Sequence, residues 1–192
     1  MTAALQHLDD LGLADKQNWT VDDLASLPED LFYELIDGKL ILSSPLTFHQ
    51  WLGRGIANDI DAHAPEGVYV VQDLSVAVNN RNEPRPDVVV VRDEGTDRIP
   101  VLVEHVLLAV EVVSADSVRR DRHQKSKIYA YAGIPLYWVV DPLGERITFT
   151  EHVLGRNGEY EQGPTLVGAV ELAKPWPVRL DLDAWEARRA RR

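Results

Sequence analysis

The sequence predicts an α/β (α+β) fold in which one central mixed β-sheet is flanked by helices. Three observations predict it. Runs of buried-type β residues recur along the chain, among them RPDVVVV at 85–91, LLAVEVV at 107–113 and IPLYWVV at 134–140. Between them lie stretches whose apolar residues repeat at a helical period, such as TFHQWLGRGIANDIDAHA at 47–64. Asp37-Gly38 joins two β-rich runs and marks a tight hairpin.

The elements follow in order. Residues 1–18 are polar and aperiodic and read as a flexible arm before a single domain over 19–192. TVDDLASL sets Thr20 three residues ahead of Asp23, a capping-box pattern, and Pro28 closes that short helix. The hairpin spans FYELIDGKLILSS. Trp51, Leu52, Ile56 and Ile60 then mark a helix of about four turns that ends before Pro65. VYVVQDLSVAV reads as one strand and NNRNEP as a turn; the two strands with the embedded carboxylates follow, joined by a charged loop with RDEGTDR. SVRRDRHQKSKIYAYAG reads as a second helix stopped by Gly133. Next come strand, Asp-Pro turn and strand, then a weaker β pattern and a basic helix end, DAWEARRARR. The order is αββαβββαββ.

Composition narrows the chemistry. The 192 residues carry a net charge of −11, which opposes strong non-specific DNA binding. There is no cysteine, hence no disulfide, thiolate ligand or thiol nucleophile. No apolar run approaches the ~20 residues needed to span a bilayer. The opening MTAALQHLDDLGLADK lacks the apolar core of a signal peptide, so a soluble cytoplasmic protein is expected, without membrane contact.

Asp87 stands at the mouth of one apolar strand and Glu111 inside another. A buried ionised carboxylate costs several kcal/mol unless something positive meets it. A simple return between the strands makes the two acids neighbours, and a hard divalent cation would satisfy both. The plainer alternative has Asp87 capping a strand end and Glu111 meeting an arginine. The following helix offers two lysines, Lys125 and Lys127, about 200° apart. Ile128, Tyr129 and Ala132 mark its apolar face, and Lys125 lies within about one-sixth of a turn of each. Lys125 is therefore the inward one, with Asp121 a turn earlier on the same side, and Lys127 faces solvent. A lysine covering the core edge is the alternative for Lys125.

Pro86-Asp87 before a β run, with Glu111 in the next core strand, resembles the PD-(D/E)XK nuclease superfamily. More narrowly, YELIDGKL, SP…HQ, RPDVVVV and VEVVSADSVRRDRHQK…YAYAGIPLYWVVDP are similar to a bacterial restriction endonuclease-like family. The resemblance runs from about Tyr33 to His152. It implies a restriction endonuclease-like sheet and a Mg²⁺ (or Mn²⁺) ion held by Asp87, Glu111 and the backbone carbonyl of Val112, with Glu34 near the metal. It also implies a lysine at the position of Val113; this chain departs there, and Lys125 fits the place to which many relatives have moved it. Asp87, Glu111 and Lys125 are then the catalytic residues.

The implied partner is DNA. Arg85, Arg119, Arg120, Arg122 and Lys127 form a basic stripe near the site, and His49 opens a helix where it could touch phosphate; solvated surface side chains are the alternative for each. A metal-dependent DNA endonuclease is the leading function class. Its rivals are a catalytically silent nuclease-like domain that binds nucleic acid or protein, and the same metal site acting on RNA or another phosphate ester. A homodimer is expected, with Trp176 and Trp185 as interface candidates unless they pack on the sheet.

Overall fold

The computed structural model describes residues 16–28, 31–42 and 46–190. The arm expected over 1–18 lies outside them except at its end, where Lys16 Nζ meets Asp23 Oδ1 at 2.7 Å. Helix α1 (Val21–Leu24) starts as predicted: the Asp23 carboxylate accepts from the backbone N–H and the hydroxyl of Thr20, each at 2.8 Å. Strands β1 (Tyr33–Ile36) and β2 (Lys39–Leu42) form the hairpin. Asp37 at φ 51° and Gly38 at φ 74° are the left-handed pair that a two-residue type I′ turn requires. Alternation along β1 sends Leu35 into a small core with Trp19, Leu24 and Leu27. Its neighbour Glu34 is turned the other way, yet is only 3% exposed.

Helix α2 (Thr47–Asp61) presents Leu52, Ile56 and Ile60, all fully buried, along one stripe. The chain continues through β3 (Val68–Gln72), β4 (Val76–Ala77), β5 (Val88–Arg92), β6 (Val101–Leu102) and β7 (Val106–Val112). A π-helical segment over Arg120–Lys125 leads into α3 (Ser126–Tyr131), followed by β8 (Leu136–Asp141), β9 (Thr148–Leu154) and β10 (Tyr160–Leu166). The central sheet has six strands in the order β10-β9-β8-β7-β5-β3. Within this sheet only β7 and β8 pair in parallel, and the helical segment between them is the crossover that parallel pairing demands. The sheet is thus mixed, as predicted.

Two local expectations are corrected. VYVVQDLSVAV is not one strand: it breaks at Asp73, whose φ of 52° turns the chain out of the sheet. The short β4 beyond that break pairs with β6 instead. The second helix is not α-helical throughout, because its first part over Arg120–Lys125 takes the wider π turn.

The period of two along each strand sorts the core into two faces. Val88, Val90, Val110, Val112, Trp138 and Val140 face α2. Val89, Val91, Ala109, Val113, Tyr137 and Val139 face α3 and its Tyr129. A C-terminal hairpin, β11 (Ala169–Leu172) with β12 (Val178–Asp181), and helix α4 (Leu182–Arg189) close the α2 face. Trp176 and Trp185 are 9% and 7% exposed and belong to this core, and Trp176 Nε1 donates to the Ile60 carbonyl at 2.9 Å. They are packing residues, not exposed interface candidates. Arg189, on the basic helix end, is anchored: its guanidinium donates to the carbonyls of Pro142 and Gly144. Among the described residues no helix is long and apolar enough to cross a membrane.

Candidate active site

Strands β5 and β7 pair with Val88 opposite Val110. One step further in that antiparallel register brings Asp87, at the strand end, beside Glu111. Asp87 Oδ2 accepts the backbone N–H of Val112 at 2.6 Å, which clamps the strand end to its neighbour. Alternation turns Glu111 to the α3 face, among residues that are otherwise apolar.

Helix α3 and the π segment supply what that carboxylate lacks. Lys125 Nζ and the Tyr129 hydroxyl both donate to Glu111 Oε1 at 2.8 Å. Lys125 meets Glu34 Oε1 more closely still and lies 3.9 Å from Asp121 Oδ1. Its side chain is 2% exposed, so the inward placement predicted from the helical face holds. Arg120 Nε lies 3.4 Å from Glu34 Oε2 and 3.8 Å from Asp121 Oδ1. Glu34 also accepts the backbone N–H of Arg85 at 3.1 Å. Hairpin, sheet and helix therefore meet on one ionic cluster.

On the opposite side His49, on the first turn of α2, sets Nε2 2.6 Å from the Val112 carbonyl and 3.5 Å from Asp87 Oδ2. A carbonyl can only accept, so Nε2 carries a proton. These groups surround a cavity of about 280 Å³ that Asp87, Glu111, Val112, Lys125 and Asp121 line.

The electrostatics are those of acids with too little positive charge nearby. Burial drives Asp87 up to about 7, against the pull of His49 and Lys125. Burial drives Glu111 well above the carboxylate range, with Lys125 opposing and Asp121 adding to it. Asp121 is raised for the same first reason. Burial by itself would lower Lys125, but Glu111, Glu34, Asp121 and Asp87 outweigh it and raise it. Lys125 is thus a fixed ammonium and not a proton acceptor.

The donor set suits a hard cation in part. Asp87 Oδ1 and Glu111 Oε2 accept no hydrogen bond among the described residues, and the Val112 carbonyl, with two lone pairs, opens to the same cavity. No cage of three or more carboxylate or imidazole groups is preformed among the described residues. The remaining ligands of an ion here would be water or substrate, as Mg²⁺ tolerates.

Of the other predicted residues, Arg85 and Arg120 line the cavity. Arg119, Arg122 and Lys127 do not: they are exposed on the outer side of the helix, and Arg122 is paired with Asp141. Val113 is buried among Val89, Tyr129 and Val139, on the same strand face as Glu111, and brings no charge to the cavity. The Tyr129 hydroxyl, expected only as core, is both core and a donor to Glu111; its spacing of four from Lys125 is the signal that puts them on one face. Ser117, which bonds Asp121, and Tyr137, whose hydroxyl donates to the Asp121 carbonyl at 2.6 Å, carried no signal in the sequence.

A crystal structure of a "putative nuclease belonging to DUF820" from Anabaena variabilis shares this architecture. The TM-score is 0.66 at 17% identity, covering 88% of this chain and 97% of that one, a likeness that shows the fold. No curated protein matches the chain in sequence. A family model described as "Putative restriction endonuclease" matches residues 21–184, and the chain belongs to that family, Uma2.

Proposed function

We propose that this protein is a metal-dependent endonuclease that hydrolyses phosphodiester bonds of DNA, with Asp87, Glu111 and the Val112 carbonyl as ligands of a Mg²⁺ or Mn²⁺ ion. One observation carries the reading. Four carboxylates, Glu34, Asp87, Glu111 and Asp121, share one cluster with two permanent cations, Lys125 and Arg120, which leaves two negative charges unanswered when His49 beside Asp87 is neutral and one when it is protonated. Arg85 does not fill the deficit, because its charge is set against Glu83. A single divalent ion would balance the cluster and offset the burial that, with the neighbouring acids adding to it, raises Asp87 and Glu111.

A bound ion would supply a Lewis acid for the scissile phosphate and a way to form hydroxide at neutral pH. The chain's own residues do the rest. Lys125, always protonated, pairs with Glu111 and Glu34 and would offer a fixed positive charge to the phosphate as negative charge builds on it. Tyr129 fixes the Glu111 carboxylate from behind. The Val112 amide fixes Asp87. His49 holds the Val112 carbonyl at the rim of the cavity. Such pre-set dipoles lower a barrier because they need no reorganisation during the reaction.

The test is nicking of supercoiled plasmid in Mg²⁺ or Mn²⁺ by wild type and by Asp87→Asn. Cleavage by wild type alone supports the reading. Equal cleavage by both, or metal-independent cleavage, refutes it. A folded wild type that cleaves nothing and gains no thermal stability from either metal would point to a binding domain instead.

A further inference from the structure

We propose that the site acts on an unpaired nucleotide, in single-stranded or locally melted DNA, and that Phe32 is the platform on which its base stacks; this rests on the nuclease reading above. The cavity has two unlike sides. Its floor is the ionic cluster. One wall is apolar, built by Phe32, Ile41 and Leu42 of the hairpin region and by Leu46 just before α2. Two of these four are conspicuously open to solvent, Phe32 at 55% and Leu46 at 74%. A sugar-phosphate backbone gains nothing from such a wall, and a paired, stacked base has no free face to offer it. An unpaired base has one.

Phe32 is held in position. The Arg85 guanidinium sits 5.2 Å from its ring centroid and 5.9 Å from that of Tyr33, while donating to Ser75 Oγ at 3.1 Å. The backbone N–H of the same arginine bonds Glu34, a member of the ionic cluster. One residue thus couples the aromatic platform to the catalytic floor across a cavity of about 280 Å³, near the lower end of the ~300–1,000 Å³ of small-ligand sites. That space is on the scale of one nucleotide and too small to take in a stacked base pair.

The charge distribution points the same way. Tracking a duplex backbone needs a basic surface. Here Arg85 and Arg120 line the cavity but are set against Glu83 and Glu34, Arg119, Arg122 and Lys127 lie away from it, and the acids Asp73 and Asp116 line it alongside the cluster. With a net charge of −11 on the chain as well, affinity has to come from stacking and from the metal rather than from counterion release.

The test uses the full chain and one 20-nucleotide DNA sequence in three forms: single strand, blunt duplex, and duplex with a central unpaired bulge. Each is incubated with Mn²⁺ and wild type, Phe32→Ala, Phe32→Trp or Asp87→Asn. The expected result is that single strand and bulge are cut at least tenfold faster than duplex. Phe32→Ala should lose about tenfold on the unpaired substrates, and Phe32→Trp should retain activity. Because Phe32 is more than half exposed, its replacement leaves the fold intact. Duplex cut as fast as single strand, or unpaired substrate cut equally well by Phe32→Ala, would overturn the inference while Asp87→Asn still tested the nuclease reading. Fluorescence titration of 2-aminopurine placed in the bulge, with Ca²⁺, separates the two further. Quenching by wild type that Phe32→Ala abolishes supports the platform even if no substrate is cut, and absence of quenching refutes it.

Discussion

Replacing Lys125 by methionine keeps an unbranched stem of similar length and removes only the charge. The ammonium is 2% exposed and meets Glu111 Oε1 at 2.8 Å and Glu34 Oε1 more closely. Its loss leaves two buried carboxylates with Arg120 as their remaining cation, and of the two that arginine meets Glu34 but not Glu111. Removing one partner of a buried pair costs about 3–5 kcal/mol, a large part of the ~5–15 kcal/mol that holds a domain together. For a chain of this size the melting temperature should fall by roughly 6–20 °C. The sign with pH is also set. Burial already raises Glu111 and Lys125 opposes it, so without Lys125 the folded protein binds a proton there at still higher pH than the unfolded chain does. Stability of the variant should therefore rise as pH falls from 8 to 5, because its folded state takes up that proton before the unfolded chain does. Urea denaturation at both pH values measures this, and adding Glu111→Gln to Lys125→Met should restore part of the loss. A cost under about 1 kcal/mol, unchanged with pH, would mean that the ammonium is solvated and merely covers the core edge; the cluster would then not be the device described above.

Three further outcomes are expected. Asp87 titrates near 7 in the metal-free protein because burial raises it, so an ion must displace a proton below that pH. The rise in melting temperature caused by Mg²⁺ or Mn²⁺ should accordingly be larger at pH 8 than at pH 6, and Asp87→Asn should abolish it; a shift independent of pH would exclude Asp87 as a ligand. Trp185→Ala should cost about 3–5 kcal/mol in urea denaturation, as for a large aromatic removed from a packed core, without changing the sedimentation coefficient. His49→Ala should cost about 1–3 kcal/mol because the Val112 carbonyl loses its 2.6 Å partner, while His49→Gln, which keeps a donor, should recover part of it; equal losses would show that ring packing, not the hydrogen bond, is the contribution.

Much of this molecule is written locally. The runs of buried-type β residues in RPDVVVV and LLAVEVV, the Asp37-Gly38 turn, the Thr20–Asp23 cap and the α2 stripe depend on neighbours a few residues away, and each appears as predicted. The inward face of Lys125 belongs to the same class, because both its neighbours at i+3 and i+4 and its buried carboxylate partner are visible as residue types. What no local pattern could supply is the meeting of segments far apart in the chain. Glu34 reaches Lys125 across 91 positions only because hairpin and helix flank the same sheet end. The break at Asp73, the π turn over Arg120–Lys125 and the burial of Trp176 and Trp185 against α2 were likewise decided by packing. His49 is the clearest case. Alone it is a histidine on the first turn of a helix, and its role follows from the Val112 carbonyl that the sheet happens to present 2.6 Å away. Propensity and periodicity act through the backbone of adjacent residues; charge balance acts through space, and only the folded chain determines which charges share it.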